Sequence, residues 1–137
     1  MYTFSFSKRV RYAETDKMGY LYYGHYAKYY EIGRVETIRS LGFSYKEMED
    51  TYGIMLPVLH LESRFLLPAY YDENIEIKSM LKTLPEKILV FDHELFNEEN
   101  KLINRATVKL FFVDMKTNNR VSCPEFLKEK LLPSFQE

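Results

Sequence analysis

Residues 9–34 of the chain, RVRYAETDKMGYLYYGHYAKYYEIGR, join its first predicted strand to its one long predicted helix. Upstream, residues 2–12 alternate apolar and polar side chains, and this period of two predicts a strand with one buried face. Residues 13–24 break the alternation and contain two glycines, which indicates a loop. Residues 25–42 carry apolar side chains at helical spacing and end on Gly42, a favourable C-terminal cap, so they predict a helix.

The apolar face of the predicted helix has Gly33 at its centre. A glycine in mid-helix costs about 1 kcal/mol relative to alanine, so a close approach of another element is expected to compensate for it. We therefore expect the helix to lie tight against a sheet. Ile32 and Val35 lie on the opposite, charged side and suggest a second contact, which another subunit can supply. The apolar face comprises Tyr26, Tyr29, Tyr30, Gly33, Thr37 and Leu41.

Strand-like segments dominate the second half of the chain. They are preceded by a short predicted helix over residues 44–52, where Ser44 and Glu47 have the spacing of a capping box. The strand-like segments are residues 54–67, 74–83, 87–96 and 104–113. In the first of them, the apolar residues of one face are Leu59, Leu61, Phe65 and Leu67. A last short helix is predicted over residues 124–132, with Pro124 at its start.

Strands and helices segregate along the sequence, which indicates an α+β domain with an antiparallel sheet. The short links after the second and third strand-like segments predict antiparallel hairpin neighbours. One long helix cannot cover both faces of a sheet. Either the sheet curls around the helix or a partner covers its outer face, and the strong apolar alternation favours an oligomer.

The composition of the 137 residues narrows the class of protein. The length is typical of one domain, residues 1–137. With a formal net charge of −1 the chain has no basic excess, so no nucleic-acid partner is expected. The N-terminus does not have the pattern of a signal peptide, and no apolar run is long enough for a membrane span. Together with the single Cys123, these features predict a cytoplasmic protein without a membrane partner.

Most residue patterns of well-known catalytic sites are missing from the sequence. It has no nucleotide-binding glycine motif and no G-x-S-x-G nucleophile motif. Its three histidines, His25, His60 and His93, do not have the spacing of metal ligands, so no metal site is expected.

Asp16 lies in the predicted loop, three residues before Gly19. The backbone amides of Tyr23, Gly24 and His25 lie at or just before the predicted helix start, where amides lack intrahelical partners and the helix carries partial positive charge. Such amides can bind a developing oxyanion, and a carboxylate that faces the same point can act as nucleophile or general base. Together these groups are the minimum equipment for acyl-transfer hydrolysis.

Each of these residues also has an interpretation without chemistry. An aspartate in a loop before a helix is usually a cap or turn residue, and His25 is a reasonable residue for a helix start. Glu14 is interpreted as a solvated charge at the strand end rather than as a second catalytic acid. The aromatic cluster around the loop is interpreted as core and interface; it comprises Tyr20, Tyr22, Tyr23, Tyr26, Tyr29 and Tyr30.

At this stretch the sequence resembles the 4-hydroxybenzoyl-CoA thioesterase family, which includes the YbgC-like acyl-CoA thioesterases. The positions that match the family pattern are Arg9-Val10, Thr15-Asp16, Gly19, Tyr22 and Tyr26. Weaker similarity continues through Tyr29-Tyr30-Glu31, Arg34, Phe65–Ala69 and Asp72. Tyr20, Leu21 and His25 depart from the pattern at the acyl site, which leaves the acyl substrate open.

The resemblance implies a hot-dog fold, in which a curled antiparallel sheet of about five strands wraps around one long helix. It implies that Asp16 is the catalytic carboxylate and that the amide of Tyr23 polarises the thioester carbonyl. It also implies a homodimer or homotetramer with CoA along the dimer interface. CoA is part of the substrate, and no further cofactor is expected. The residues expected to bind the substrate are Gly19, Tyr22, Gly24, His25 and Tyr26.

The expected reaction is hydrolysis of an acyl-CoA to a free acid and CoA. One alternative is a module on the same scaffold that binds acyl-CoA without catalysis, for which Asp16 would be unnecessary. Another is a dehydratase of the same fold, which would pair a histidine with a helix glutamate. Glu31 and Glu36 are expected on the charged side of the helix, which disfavours the dehydratase.

Overall fold

The computed structural model describes residues 1–136 of the chain. Its strands are β1 Tyr2–Arg9, β2 Ile54–Met55, β3 Val58–Phe65, β4 Asn74–Leu81, β5 Ile88–Phe96, β6 Leu102–Asp114 and β7 Asn119–Val121. Its helices are α1 Tyr26–Ser40, α2 Tyr45–Asp50 and α3 Glu125–Leu131. Short 3₁₀ turns lie at Tyr12–Glu14, Tyr23–His25 and Leu132–Phe135.

The three predicted helices are confirmed, each shortened by one or two residues at either end. The predicted cap of α2 is also present, because the Ser44 hydroxyl accepts a hydrogen bond from the amide of Glu47 at 3.0 Å. The prediction of one strand over residues 54–67 is wrong. The segment is divided into β2 and β3 at Pro57, which has no N–H to donate to the neighbouring strand.

The sheet is antiparallel throughout and runs in the order β1-β4-β5-β6-β3, with the short β2 and β7 also pairing with β6. The predicted hairpin pairs, β4 with β5 and β5 with β6, are confirmed. Strand β7 was not predicted; it has only three residues and folds back on β6 through a turn at Asn118, where φ is 57°. The predicted α+β class with an antiparallel sheet is confirmed.

Gly33 brings α1 into close contact with the concave face of the sheet. A Cβ atom at this position would collide with Ser79 Oγ, and it would lie only 2.8 Å from Ile77 Cγ2. Both residues belong to β4, and His93 of β5 lies beside them. The predicted close approach is therefore confirmed, and the core forms between α1 and the curled sheet. Its largest fully buried side chains include Tyr29, Tyr30, Phe91, Phe112 and Ile38.

Strand β3 is an edge of the sheet, and its apolar side chains are uncovered. Leu59 and Leu61 are each 44% exposed, and Phe65 is 50% exposed. Periodicity alone indicated an apolar face for this segment, and that face stays largely exposed although Tyr26 of α1 packs against Phe65 at its end. An apolar edge of this kind is typical of a contact with another chain.

No helix in residues 1–136 has both the length and the apolar character that crossing a membrane requires.

Candidate active site

The loop that carries Asp16 is a tight structure closed by backbone pairing. Thr15 and Leu21 form an isolated antiparallel bridge, and the amide of Asp16 donates to the carbonyl of Tyr20 at 2.9 Å. Gly19 turns the chain with a φ of 81°, a region that favours glycine. The loop is also fixed to the rest of the fold, because the Leu21 amide donates to Ala69 O at 2.8 Å.

The carboxylate of Asp16 has one oxygen engaged and one free. Its Oδ1 accepts hydrogen bonds from the amides of Met18 at 2.9 Å and Tyr20 at 3.2 Å. Its Oδ2 makes no hydrogen bond within the described part of the chain. The turn role that we considered as the alternative is thus present at Oδ1. It leaves Oδ2 available for chemistry.

The predicted helix start is divided into a 3₁₀ turn, Tyr23–His25, followed by α1. The expectation that three amides are free there is wrong for His25, because the tight turn directs its amide to Tyr22 O at 2.9 Å. The amides of Tyr23 and Gly24 have no partner in residues 1–136. Gly24 allows the Tyr22 ring to lie over the backbone, since a Cβ at Gly24 would be 2.6 Å from Tyr22 Cε2.

An apolar cleft of about 310 Å³ lies between this loop and the end of β3. Asp16, Tyr23 and Tyr26 are the predicted site residues in its wall. Tyr26 packs edge-on against Phe65 at 4.9 Å between ring centroids, and this contact joins the two sides of the cleft. The complete lining is Asp16, Met18, Tyr20, Leu21, Tyr23, Tyr26, Phe65, Leu66, Leu67 and Pro68.

A second cleft, of about 260 Å³, shares Tyr23, Tyr26 and Phe65 with the first. It is lined by Gly24 in addition to Tyr23 and Tyr26, and it continues to Leu61 of β3. The predicted substrate-binding residues Gly19, Tyr22 and His25 line neither cleft.

Gly19 shapes the loop, whereas the rings of Tyr22 and His25 pack edge-on at 5.9 Å outside the cleft. His25 makes no hydrogen bond to Asp16 within the part of the chain that the structure covers.

Three residues of the cleft were not predicted as part of the site: Met18, Leu66 and Leu67. Leu66 and Leu67 lie directly after β3, where both amides donate to Ile103 O. The similarity noted at Phe65–Ala69 was the signal that could have placed this segment opposite Asp16.

Among residues 1–136, Asp16 is the only carboxylate in the lining of the first cleft. Burial, together with the neighbouring Tyr30, raises the pKa of Tyr26 to about 12, so its hydroxyl stays protonated at neutral pH. Asp16 is therefore the residue in this lining that can act as a carboxylate nucleophile or base.

Glu14 is buried, and its interpretation as a solvated charge is wrong. The residue is only 3% exposed, and its carboxylate contacts the ammonium groups of Lys8 at 2.8 Å and Lys28 at 2.5 Å. Burial acts to raise the pKa of Glu14, but the ammonium groups of Lys28 and Lys8 beside the carboxylate outweigh it and lower the pKa to about 2. The carboxylate is therefore ionised throughout the neutral range. The burial of Glu14 was not predicted, because both lysines come from other elements of the fold.

Comparison with known proteins agrees with this architecture. The model of the Thioesterase-like superfamily matches residues 10–131. YneP of Bacillus subtilis is 32% identical over 108 residues, which are 79% of this chain and 78% of that protein. The acyl-CoA thioester hydrolase YbgC of Escherichia coli is 31% identical over 111 residues, covering 81% of this chain and 82% of YbgC.

A solved structure with the same fold is the DHNA-CoA thioesterase from Staphylococcus aureus. Its TM-score is 0.87 at 29% sequence identity, and the match covers 100% of this chain and 97% of that one. The family model, the two relatives and this structure agree with the resemblance found at residues 9–34, which is thereby confirmed. The chain therefore belongs to the thioesterase-like superfamily and has the hot-dog fold.

Proposed function

We propose that this chain hydrolyses acyl-CoA thioesters to a free acid and CoA. The observation that carries the proposal is one apolar cleft with the Asp16 carboxylate and with Tyr23, from the 3₁₀ turn that precedes α1, in its wall. The names of YbgC, an acyl-CoA thioester hydrolase, and of the DHNA-CoA thioesterase support the substrate class. A module that only binds acyl-CoA would not need a carboxylate at this position.

In the proposed mechanism, the thioester carbonyl lies between Asp16 and the start of α1. The free amides of Tyr23 and Gly24 donate hydrogen bonds to the carbonyl oxygen, and the positive end of the helix stabilises the charge that develops there. Asp16 either attacks the carbonyl carbon, forming an anhydride that water hydrolyses, or takes a proton from an attacking water. In both routes the C–S bond breaks, the thiolate of CoA leaves and is protonated, and the free acid remains.

The acyl group of the substrate is proposed to be uncharged. The lining of the first cleft contains aromatic and aliphatic side chains and, within the described residues, no lysine, arginine or histidine. A carboxylate on the acyl group would therefore lie near Asp16 without a counterion. We expect kcat/KM for butyryl-CoA to exceed that for succinyl-CoA, which has the same carbon count, by about tenfold or more.

The measurement is CoA release from a panel of acyl-CoAs, followed with a thiol-reactive dye. Faster turnover of succinyl-CoA than of butyryl-CoA would contradict the assignment of the cleft to the acyl group. No release from aliphatic, aromatic or dicarboxylic acyl-CoAs would favour the binding module over the enzyme.

We also propose that the protein is a homodimer, or a homotetramer built from dimers, with β3 at the interface between two copies. The exposed apolar side chains of this edge strand, among them Val58 and Leu61, support the proposal. Light scattering coupled to size-exclusion chromatography is expected to give at least twice the mass of one chain. The mass of a single chain at micromolar concentration would contradict an interface on β3.

We propose further that residues 1–137 form one domain that acts in the cytoplasm without a metal or a cofactor other than the CoA of the substrate. One sheet and one core that extends from Val10 to Leu131 support the single domain. The buried free thiol of Cys123 suits a reducing compartment, and its burial raises its pKa to about 11, which makes it unreactive.

A further inference from the structure

Glu14 lies two residues before Asp16, at the end of the 3₁₀ turn Tyr12–Glu14. Its side chain points into the fold and is almost completely buried. The proposed hydrolysis does not use this carboxylate, because Glu14 does not line the cleft that contains Asp16. A buried charge is stabilised only by close polar or charged partners. The contacts of the Glu14 carboxylate therefore identify the segments of the chain that it holds together.

The carboxylate of Glu14 joins three segments of the chain. Lys8 Nζ of β1 donates to Oε1 at 2.8 Å, and so does the hydroxyl of Tyr29 of α1, also at 2.8 Å. Lys28 Nζ, one residue earlier in α1, lies 2.5 Å from Oε2. The amide of Arg11, at the start of the connection from β1 to the Asp16 loop, donates to Oε1 at 2.8 Å.

The main chain of Glu14 is tied to the other functional half of the site. Its carbonyl accepts a hydrogen bond from the amide of Tyr22 at 2.9 Å, directly before Tyr23, and the next residue, Thr15, pairs with Leu21. A displacement of Glu14 therefore moves Asp16 through the chain connection at Thr15. It also moves the amide of Tyr23 through the hydrogen bond between Glu14 O and the Tyr22 amide.

We propose that Glu14 is a positioning residue, whose carboxylate holds the Asp16 loop against β1 and α1 so that Asp16 and the Tyr23 amide keep their relative position. This role rests on the proposed hydrolysis by Asp16. Without the negative charge, the ammonium groups of Lys8 and Lys28 repel each other across the site that the carboxylate now occupies. The Asp16 loop then loses its ion pairs with both β1 and α1.

The test compares Glu14→Gln with the wild-type protein and with Leu127→Ala. Gln has the shape of Glu but no charge, and Leu127 is a fully buried residue of α3 whose truncation destabilises the core without touching the loop. All three proteins are assayed at a temperature at which circular dichroism shows each to be folded. For Glu14→Gln we expect kcat to fall about 100-fold with little change in KM, because a displacement of about 1 Å has an effect of this size.

A purely structural role of Glu14 predicts a different result. In that case both substitutions, Glu14→Gln and Leu127→Ala, lower the melting temperature, and kcat of both folded variants stays at the wild-type level. That outcome would overturn the proposal. A matched pair at the partner residue adds a check: Lys28→Arg keeps the ion pair and is expected to retain more activity than Lys28→Met.

Amide hydrogen exchange gives a readout that does not depend on activity. The amides of Met18 and Tyr20 donate to Asp16 Oδ1, so a loosened loop exposes them. We expect faster exchange at both amides in Glu14→Gln and no change at them in Leu127→Ala. If wild-type protein released no CoA from any acyl-CoA, the proposed function would fail. Hydrogen exchange would then test by itself whether Glu14 holds the loop in place. Unchanged protection of the Met18 and Tyr20 amides in Glu14→Gln would overturn that role.

Discussion

Asp16→Asn is expected to lower kcat by about 10³- to 10⁴-fold while the protein stays folded. An asparagine side chain has the size of aspartate, and its Oδ1 can still accept the hydrogen bonds from Met18 and Tyr20 that shape the loop. It has no negative charge, so it can neither attack the thioester carbonyl nor take a proton from water. Steady-state CoA release with the best acyl-CoA of the panel measures the effect.

Asp114→Asn is the matched control for this substitution. Asp114 ends β6, and its Oδ1 accepts hydrogen bonds from the amides of Lys116 at 2.8 Å and Thr117 at 3.3 Å, so, like Asp16, it binds the amide two residues further on. It lies outside the lining of the first cleft, so Asp114→Asn is expected to keep wild-type kcat. Full activity in folded Asp16→Asn would exclude Asp16 as nucleophile and base. An equal loss in both variants would mean that the turn, and not the carboxylate charge, is what matters.

Gly33→Val is expected to lower the free energy of unfolding by more than about 3 kcal/mol, or to prevent folding altogether. Even a single Cβ at this position would collide with Ser79 Oγ and crowd Ile77 Cγ2, and valine adds two methyl groups beyond it. Neither β4 nor α1 can move away without opening the core between them. Urea unfolding followed by circular dichroism measures the change.

Two further variants separate crowding from helix propensity. Gly33→Ala is expected to cost about 1 to 2 kcal/mol, because the gain of about 1 kcal/mol in helix propensity offsets part of the overlap. Arg39→Val places the same branched side chain at an exposed position of α1 that loses only the surface ion pair with Glu36. We expect it to cost less than about 1 kcal/mol. If Gly33→Val and Arg39→Val lowered the free energy of unfolding by similar amounts, the close approach of helix and sheet would be contradicted.

The sequence predicted those parts of the fold whose signal lies within one element. The spacing of apolar residues located α1 to within two residues, and the unfavourable position of Gly33 in a helix predicted the tight contact with the sheet. The loop at Asp16 was predicted as well, because two glycines and the family pattern occur together in residues 13–24.

Features that depend on partners distant in sequence were missed. Glu14 is buried because Lys8 and Lys28 converge on it from two different elements, and no residue spacing within a single element indicates this. The apolar pattern of β3 shows that the strand has an apolar face, but not that the face is left open at the edge of the sheet. The loss of one helix-start amide, at His25, depends on the choice between a 3₁₀ turn and an α-helix, which side-chain pattern does not encode.

The two walls of the first cleft come from separate stretches of the chain. The wall with Asp16 and Tyr23 belongs to the loop before α1, whereas Phe65, Leu66 and Leu67 form the facing wall. If the cleft holds the acyl group as proposed, substitutions in the second stretch reshape the space for that group and leave Asp16 and Tyr23 where they are. During evolution, the choice of substrate can therefore diverge among descendants of this protein while the chemistry is inherited unchanged.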